Sequence, residues 1–221
     1  MNGRHELKFN INDSDCAQLR ARLQGVAKPD EHAIEGGYKI RSLYFDNYTD
    51  KAVIEKLSGL SRREKFRLRY YNGDTTFIRL ERKSKANRLA YKESALITAE
   101  QCEALLMGKY DCLRQPGAAL MMELYTKIRY QNLRPRNIVE YHREAYVYHA
   151  GNVRVTFDSN IRTSNSTAGF LKSELTTIPA AGMSVLELKY DGFLPDIIRD
   201  VLQIGWRNQT EFSKYVAARL V

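Results

Sequence analysis

Glu64-Lys65-Phe66-Arg67-Leu68-Arg69-Tyr70-Tyr71, then Asn72-Gly73-Asp74, then Thr75-Thr76-Phe77-Ile78-Arg79-Leu80-Glu81-Arg82-Lys83 is the stretch on which the fold turns. Both arms alternate apolar and charged residues with a period of two, the pattern of a half-buried strand. The Asn-Gly-Asp between them is a hairpin signal, because Asn and Gly tolerate the positive φ of a tight turn. Antiparallel strands are therefore expected over 64–71 and 75–83, with a third over 89–96.

Outward from this hairpin, residues 5–10 alternate as a strand. Asn12 or Asp13 is placed to cap a helix through Leu23 with Cys16, Leu19 and Leu23 on one face, and Gly25 stands where it should end. Residues 38–46 read as a strand, and 49–60 as a helix with Val53, Ile54 and Leu57 inward. Thr98-Ala99-Glu100-Gln101 fits the Ser/Thr-x-x-Glu/Gln capping box ahead of a helix ending near Gly108. A further helix is expected over 116–130. Residues 137–148 and 153–158 predict a second hairpin turning at Ala150-Gly151-Asn152. The stretch 163–182, rich in Ser, Thr, Gly and Ala, reads as a loop; 184–190 is a last strand, and 195–205 and 210–221 are closing helices. About eight strands, mostly joined as hairpins, predict an α+β protein. The expected form is a closed antiparallel β-barrel (a tunnel) with peripheral helices, one domain over 1–221, rather than a parallel doubly wound sheet.

The polar parity of these strands is unusual. Arg4, Glu6 and Lys8 share a face, as do Arg67 and Arg69, then Arg79, Glu81 and Lys83, then Glu187 and Lys189, while Leu7, Phe66, Leu68, Ile78, Leu80, Leu186 and Leu188 supply the opposite face. A solvated outer face is the ordinary reading of one such strand. The Glu-x-Lys spacing, however, recurs at 6/8, 81/83 and 187/189, and these faces hold almost nothing but Arg, Lys and Glu. Inside a barrel such cations would repel one another unless an anion lay among them. A phosphate chain suits them, since Arg binds phosphate oxygens bidentately and Lys supplies compact charge. Glu6, Glu81 and Glu187 either pair with neighbouring Lys and Arg or hold a hard divalent ion such as Mg²⁺ or Mn²⁺.

Composition agrees with an anionic partner: 221 residues carry a formal net charge of +9, with 43% hydrophobic and 28% charged residues, a globular balance. Three cysteines without metal-ligand spacing predict free thiols in a reducing compartment, and four histidines without a His-Glu-x-x-His pattern argue against zinc. No signal peptide and no run of about 20 apolar residues is present, so a cytoplasmic protein with no membrane segment of its own is expected.

Taken together and in order, several short stretches make the chain similar to a known family. They are Arg4-His5-Glu6-Leu7-Lys8-Phe9, Leu43-Tyr44-Phe45-Asp46-Asn47, Arg67-Leu68-Arg69-Tyr70, Leu80-Glu81-Arg82-Lys83, Tyr91-Lys92-Glu93, Tyr141-His142-Arg143-Glu144-Ala145-Tyr146, Arg154-Val155-Thr156-Phe157-Asp158, Val185-Leu186-Glu187-Leu188-Lys189 and Phe212-Ser213-Lys214-Tyr215. From about Arg4 to Tyr215 the chain resembles the VTC domain, the polyphosphate polymerase branch of the triphosphate tunnel metalloenzymes (the CYTH-like group).

The resemblance implies a metal-dependent polymerase that moves the γ-phosphoryl of ATP, or of another nucleoside triphosphate, to a growing inorganic polyphosphate chain. By position it implies phosphate-binding roles for Lys8, Lys56, Arg67, Arg69, Lys83, Lys92, Arg143, Arg154 and Lys214. Of these, Arg67, Arg69, Arg143 and Lys8 would act on the transferring group. Glu187 is implied as the ligand of Mn²⁺ or Mg²⁺, with Glu6 and Glu81 as further candidates. Spacing alone would leave Lys56 and Lys214 as exposed helix residues. The triphosphatases of this group begin Glu-x-Glu-x-Lys; here the first position is Arg4, which weakens a hydrolytic water and favours a phosphate acceptor. A triphosphatase and a non-catalytic polyphosphate-binding module stay as alternatives, and a membrane partner stays open. A nucleic-acid-binding barrel is disfavoured, because no exposed aromatic platform of the RRM or OB type accompanies the charge.

Overall fold

The hairpin read first is present, and its turn shows why. The computed structural model describes residues 4–31, 33, 36–86, 89–203 and 206–221, apart from the side chain of Arg4. Its elements are β1 (Arg4–Ile11), α1 (Asp13–Gln24), β2 (Lys28–Pro29), β3 (Tyr38–Asp46), α2 (Lys51–Leu57), β4 (Arg62–Tyr71), β5 (Ile78–Ala86), β6 (Leu89–Ile97), α3 (Ala99–Leu106), α4 (Ala119–Gln131), β7 (Arg134–Tyr148), β8 (Val153–Ser164), β9 (Ile178–Pro179), β10 (Ser184–Asp191), α5 (Asp196–Leu202) and α6 (Lys214–Arg219). Asn72 and Gly73 turn the β4–β5 hairpin at φ 50° and 76°. Asp74 then accepts bonds from the Thr76 amide at 2.9 Å and its hydroxyl at 2.5 Å. That Asx turn keeps 75–77 out of the ladder, so β5 begins at Ile78 rather than at the expected Thr75.

The chain divides into two compact units, the first made of Met1–Lys39, Tyr141–Ile161 and Ala181–Lys214, the second of Ile40–Glu140, Arg162–Ala180 and Tyr215–Val221. In the first, β1 pairs antiparallel with β10 and β10 with β8. Its core joins Phe9 and Ile11 of β1 to Cys16, Leu19 and Leu23 of α1, with Phe157, Leu186, Leu188, Ile198 and Leu202. The α1 boundaries are as read: Asn12 accepts the Asp15 amide at 2.8 Å, and the Gly25 amide closes the last turn. In the second unit β3, β4, β5 and β6 pair in antiparallel succession. Leu43, Phe45, Phe66, Leu68, Tyr70, Ile78 and Leu80 pack there against Leu105 of α3 and Leu120, Leu124 and Ile128 of α4. Each such side chain contributes roughly 1.5–3 kcal/mol on burial, so the helices cover the apolar parity and leave the charged parity on the other side. The Thr98–Gln101 capping box that starts α3 forms in full.

Three further expectations change. The strands follow the order β1-β10-β8-β7-β3-β4-β5-β6, with the short β2 and β9 beside it. Among the described residues this path is open, not the closed barrel expected. The outer edge of β1 is taken instead by the chain near its end, where the Thr210 amide donates to the Lys8 carbonyl at 2.8 Å and Gln209 bridges Phe9. Next, α2 is shorter than 49–60 and buries only Val53. Asn47 and Asp46 side chains bond the Lys51 and Ala52 amides and set its start, while Ile54 and Leu57 stand 53% and 63% exposed. Lastly, the stretch 163–182 is anchored rather than loose: Phe170 is fully buried, and its carbonyl accepts from Arg41 at 3.1 Å and Tyr70 at 2.5 Å. Gly205, the last residue of the helix expected over 195–205, and the Arg4 side chain lie outside the described residues. Among the described residues no helix is long and apolar enough to cross a membrane.

Candidate functional site

The registers of the second unit line its charges up in rows. Lys65 of β4 lies opposite Lys83 of β5, which lies opposite Lys92 of β6. One step along, Tyr44, Arg67, Glu81 and Ser94 form a row; beyond it stand Ser42, Arg69 and Arg79. Like charges directly opposite on a sheet are destabilising. Glu81 is fully buried at the centre and takes Arg67 Nε at 2.7 Å and Nη2 at 2.6 Å on Oε2, while Lys92 Nζ lies 2.5 Å from Oε1 and Arg69 Nη1 3.9 Å from Oε2. Arg69 Nε donates to Ser42 Oγ at 2.9 Å, and Arg67 Nη1 to Tyr44 Oη at 3.2 Å. Burial alone would push the Glu81 carboxyl up; Arg67, Arg69 and Lys92 outweigh it and bring it down to about 2. The remaining cation charge, fixed on packed strands, suits an anion with several oxygens.

The charged face of the first unit is built differently. Because β1 and β10 run antiparallel, Glu6 falls opposite Lys189 and Lys8 opposite Glu187, which itself faces Thr156 of β8. Acid thus meets base across the ladder. Asp158 is fully buried and receives Arg143 Nε at 2.5 Å, Arg143 Nη2 at 2.7 Å and the Lys214 ammonium. Arg143 Nη2 also lies 3.8 Å from Glu187 Oε2, and Lys189 pairs with Glu187 Oε1. Lys8 Nζ sits 2.8 Å from Glu6, and Tyr141 lies beneath Lys214 Nζ at 4.7 Å and Arg143 at 5.5 Å. Arg154 reaches Asp30 at 2.5 Å and Tyr38 Oη at 2.8 Å. Burial would push the Glu187 and Asp158 carboxyls up. Lys189, Arg143, Lys8 and Lys214 instead hold Glu187 well below the usual carboxylate range, and Arg143 with Lys214 brings Asp158 to about 2. Burial likewise opposes charge on Lys8, and Glu187 with Glu6 reverses it, so that its pKa is raised.

Of the residues singled out from sequence, Arg67, Arg69, Lys83, Lys92 and Glu81 gather in the second unit, and Lys8, Glu6, Arg143, Arg154, Lys214 and Glu187 in the first. Lys214 is not the solvent-facing helix residue that spacing suggests, because the start of α6 brings it onto Asp158. Lys56 stands apart by element, in the last turn of α2 rather than on a strand face. The sequence reading gave no site role to Asp158, Asp30, Lys65, Tyr44 and Tyr141. Asp158 shares strand parity with Arg154 and was open to the same argument; Tyr44 was hidden because Leu43-Tyr44-Phe45 reads as uniformly apolar.

The chemistry of the donors allows one kind of metal site. Among the described residues no three His, Cys, Asp or Glu side chains gather to hold an ion, so no closed protein cage is formed. Glu187, however, is ionised, its Oε2 has Arg143 only at 3.8 Å, and its cross-strand neighbour Thr156 has a buried hydroxyl without a hydrogen-bond partner among the described residues. That donor set fits a divalent ion bound by one carboxylate and completed by water and phosphate oxygens, the usual habit of Mg²⁺.

An antiparallel α+β scaffold with Arg and Lys fixed around buried carboxylates suits a polyanion. The family model of the VTC domain matches residues 3–221, and the chain belongs to that family. Similar solved structures include a Hippeastrum protein described as revealing a dominant triphosphatase activity (12% identity, TM-score 0.56, covering 97% of this chain and 94% of that one). A Bacillus halodurans protein named for adenylate cyclase matches at 11% identity and TM-score 0.57 over 96% of this chain and 95% of that one. A Vibrio parahaemolyticus protein of the same name matches at 10% and 0.51 over 98% and 97%. At these identities the likeness is one of fold. No curated protein matches the chain by sequence.

Proposed function

We propose that the chain, acting as one VTC-like domain over 1–221, is a polyphosphate polymerase that transfers the γ-phosphoryl of ATP to the end of an inorganic polyphosphate. The observation that carries the anion is the Lys65–Lys83–Lys92 row beside Arg67 and Arg69, with Glu81 at its centre. Membership of the VTC family and Arg4 in place of the first glutamate of the hydrolytic signature support a phosphate acceptor over water. Arg67, Arg69, Arg143 and Lys8 would neutralise charge on the transferring group, and Lys83, Lys92, Arg154, Lys214 and Lys56 would hold donor and chain. Phosphoryl transfer asks little covalent chemistry of a protein, so positioning and charge neutralisation carry the rate. Holding donor and acceptor in line can remove roughly 7–11 kcal/mol of barrier. Glu187 would hold Mn²⁺ or Mg²⁺, whose contribution when bound is to neutralise phosphate charge. Fixed cations on strands need not reorganise as the γ-phosphoryl departs, and the leaving ADP keeps its charge balanced by the lysines.

The test is a product assay with ATP and Mn²⁺, resolving ADP, phosphate and polyphosphate. A polyphosphate ladder matched by ADP supports the polymerase. Phosphate without chain growth would make the protein a triphosphatase, the activity described for the Hippeastrum neighbour. Chain binding without turnover would make it a polyphosphate-binding module, and all three readings keep the same anion site.

A further inference from the structure

Tyr44 shares the row of Arg67 and Glu81 and is 2% exposed. Its hydroxyl accepts from Arg67 Nη1 at 3.2 Å, and Lys65 Nζ and the Arg67 guanidinium lie 5.8 and 5.9 Å from its ring centre. Tyr215 of α6 stacks on it with ring centres 4.8 Å apart. The two phenols have opposite surroundings. The Tyr215 hydroxyl donates to Asp46 Oδ2 at 2.7 Å, and burial followed by Asp46 pushes its pKa up, so it keeps its proton. The Tyr44 hydroxyl meets cations. Burial would push it up as well, but Arg67, Lys65 and Arg69 outweigh that and bring it down to about 7.

The neighbouring charged groups bear on this difference. Lys65, Arg67 and Arg69 come from β4, and Glu81 of β5 is bonded to Arg67. Tyr215 comes from α6, and on β3 itself Asp46 is occupied by Tyr215. Glu140 of β7 is bonded to Arg41, which has the opposite parity on β3. Glu81 and the Tyr44 oxygen both lie against these cations, and a buried cation is stabilised by each counter-charge it meets.

We propose that Tyr44 is the built-in counter-charge of the Lys65–Arg67–Arg69 group, a phenolate when those cations hold no ligand and a phenol once a phosphate chain lies against them. This rests on the phosphate-binding reading above. The step is a proton exchange: the Tyr44 O–H bond breaks with its proton passing to the buffer, and re-forms with a buffer proton when phosphate binds, without redox change. Tyr44 acts through the cations, as a positioning residue. Because binding takes up a proton, affinity for phosphate falls as pH rises through the Tyr44 transition, approaching about tenfold per pH unit above it.

The test follows the ultraviolet difference band of tyrosinate across neutral pH, in wild type and Tyr44→Phe, with and without inorganic tripolyphosphate; calorimetry measures tripolyphosphate binding separately. Wild type should show a step near pH 7 that is absent from Tyr44→Phe and moves up when tripolyphosphate is bound. Its affinity should also fall more steeply with pH than that of the variant. A missing step, a step that persists in Tyr44→Phe, or one unmoved by bound tripolyphosphate overturns the role of Tyr44 alone. Failure of tripolyphosphate to bind wild type at any pH overturns the phosphate-binding reading, and this inference with it. Should Tyr44→Phe not fold by circular dichroism, the wild-type step and its displacement by ligand still decide.

Discussion

Glu6-x-Lys8 on β1 and Glu81-x-Lys83 on β5 are the same three-residue pattern with different electrostatic consequences. On β1 the strand opposite carries Glu187-x-Lys189 running the other way, so each acid faces a base and the face is close to neutral. On β5 the neighbours are Arg67 and Lys65 on one side and Ser94 and Lys92 on the other, so Glu81 is alone among cations and Lys83 stands between two lysines. A motif's charge is thus a property of the ladder and not of the strand. The balanced face suits an ion bound to Glu187 and the cationic face suits phosphate, which divides the proposed chemistry between two kinds of surface.

That comparison can be broken in several ways. The largest effect is expected from Glu187→Ala, which should lower metal-dependent turnover by at least about 100-fold while tripolyphosphate still binds in the presence of chelator. Turnover at the wild-type rate would remove Glu187 from the site. Next, Glu81→Gln should destabilise the fold by about 3–5 kcal/mol in urea denaturation, because Arg67, Arg69 and Lys92 lose their partner. Saturating tripolyphosphate should restore part of that loss but none of the loss from Asp158→Asn; equal rescue of both would erase the distinction between the faces.

Acid should act on both faces alike. Glu81 and Asp158 have folded-state pKa values near 2, below their ordinary 4.5 and 3.8. Their stabilisation is therefore complete above the ordinary values and is lost as pH falls towards 2, about 3 kcal/mol for Glu81 and about 2 kcal/mol for Asp158. An unfolding free energy that is flat over that window would contradict both burials. Lys65→Ala should separate stability from function: relief of the like-charge row gains up to about 1 kcal/mol, while tripolyphosphate affinity drops about tenfold. A loss of stability with unchanged affinity would mean that Lys65 serves the fold. The smallest effect belongs to Glu6→Gln, below about 1 kcal/mol, since its pair with Lys8 is 36% exposed on the acid side.

Local structure was legible wherever one residue type has one use. Asn12 and the Thr98–Gln101 box start helices as read, and Asn72-Gly73 turns the hairpin as read. Helix α2 was misjudged because Ile54 and Leu57 look like a buried stripe, yet among the described residues they stay exposed; burial is decided by what packs opposite, and seven residues bury only Val53. Part of the candidate site was legible as a parity, which named Arg67, Arg69 and Glu187, whereas Arg143 came only from the family resemblance. Tyr44 and Asp158 were not named, the first masked by apolar neighbours and the second because its partners Arg143 and Lys214 come from other elements.

What the chain determined by itself is the alternation that puts Arg, Lys and Glu on one face of nearly every long strand and Leu, Ile and Phe on the other, because side chains alternate whatever the strand pairs with. Which charges meet was decided only by the tertiary structure. Register places Lys8 on Glu187, Arg67 on Glu81 and Lys83 between Lys65 and Lys92, from strands distant in sequence. The partner at the edge of β1 was decided there too, where residues 209–210 lie against Lys8 and Phe9. Pairing energy depends on distance across the ladder, which periodicity within one strand does not contain.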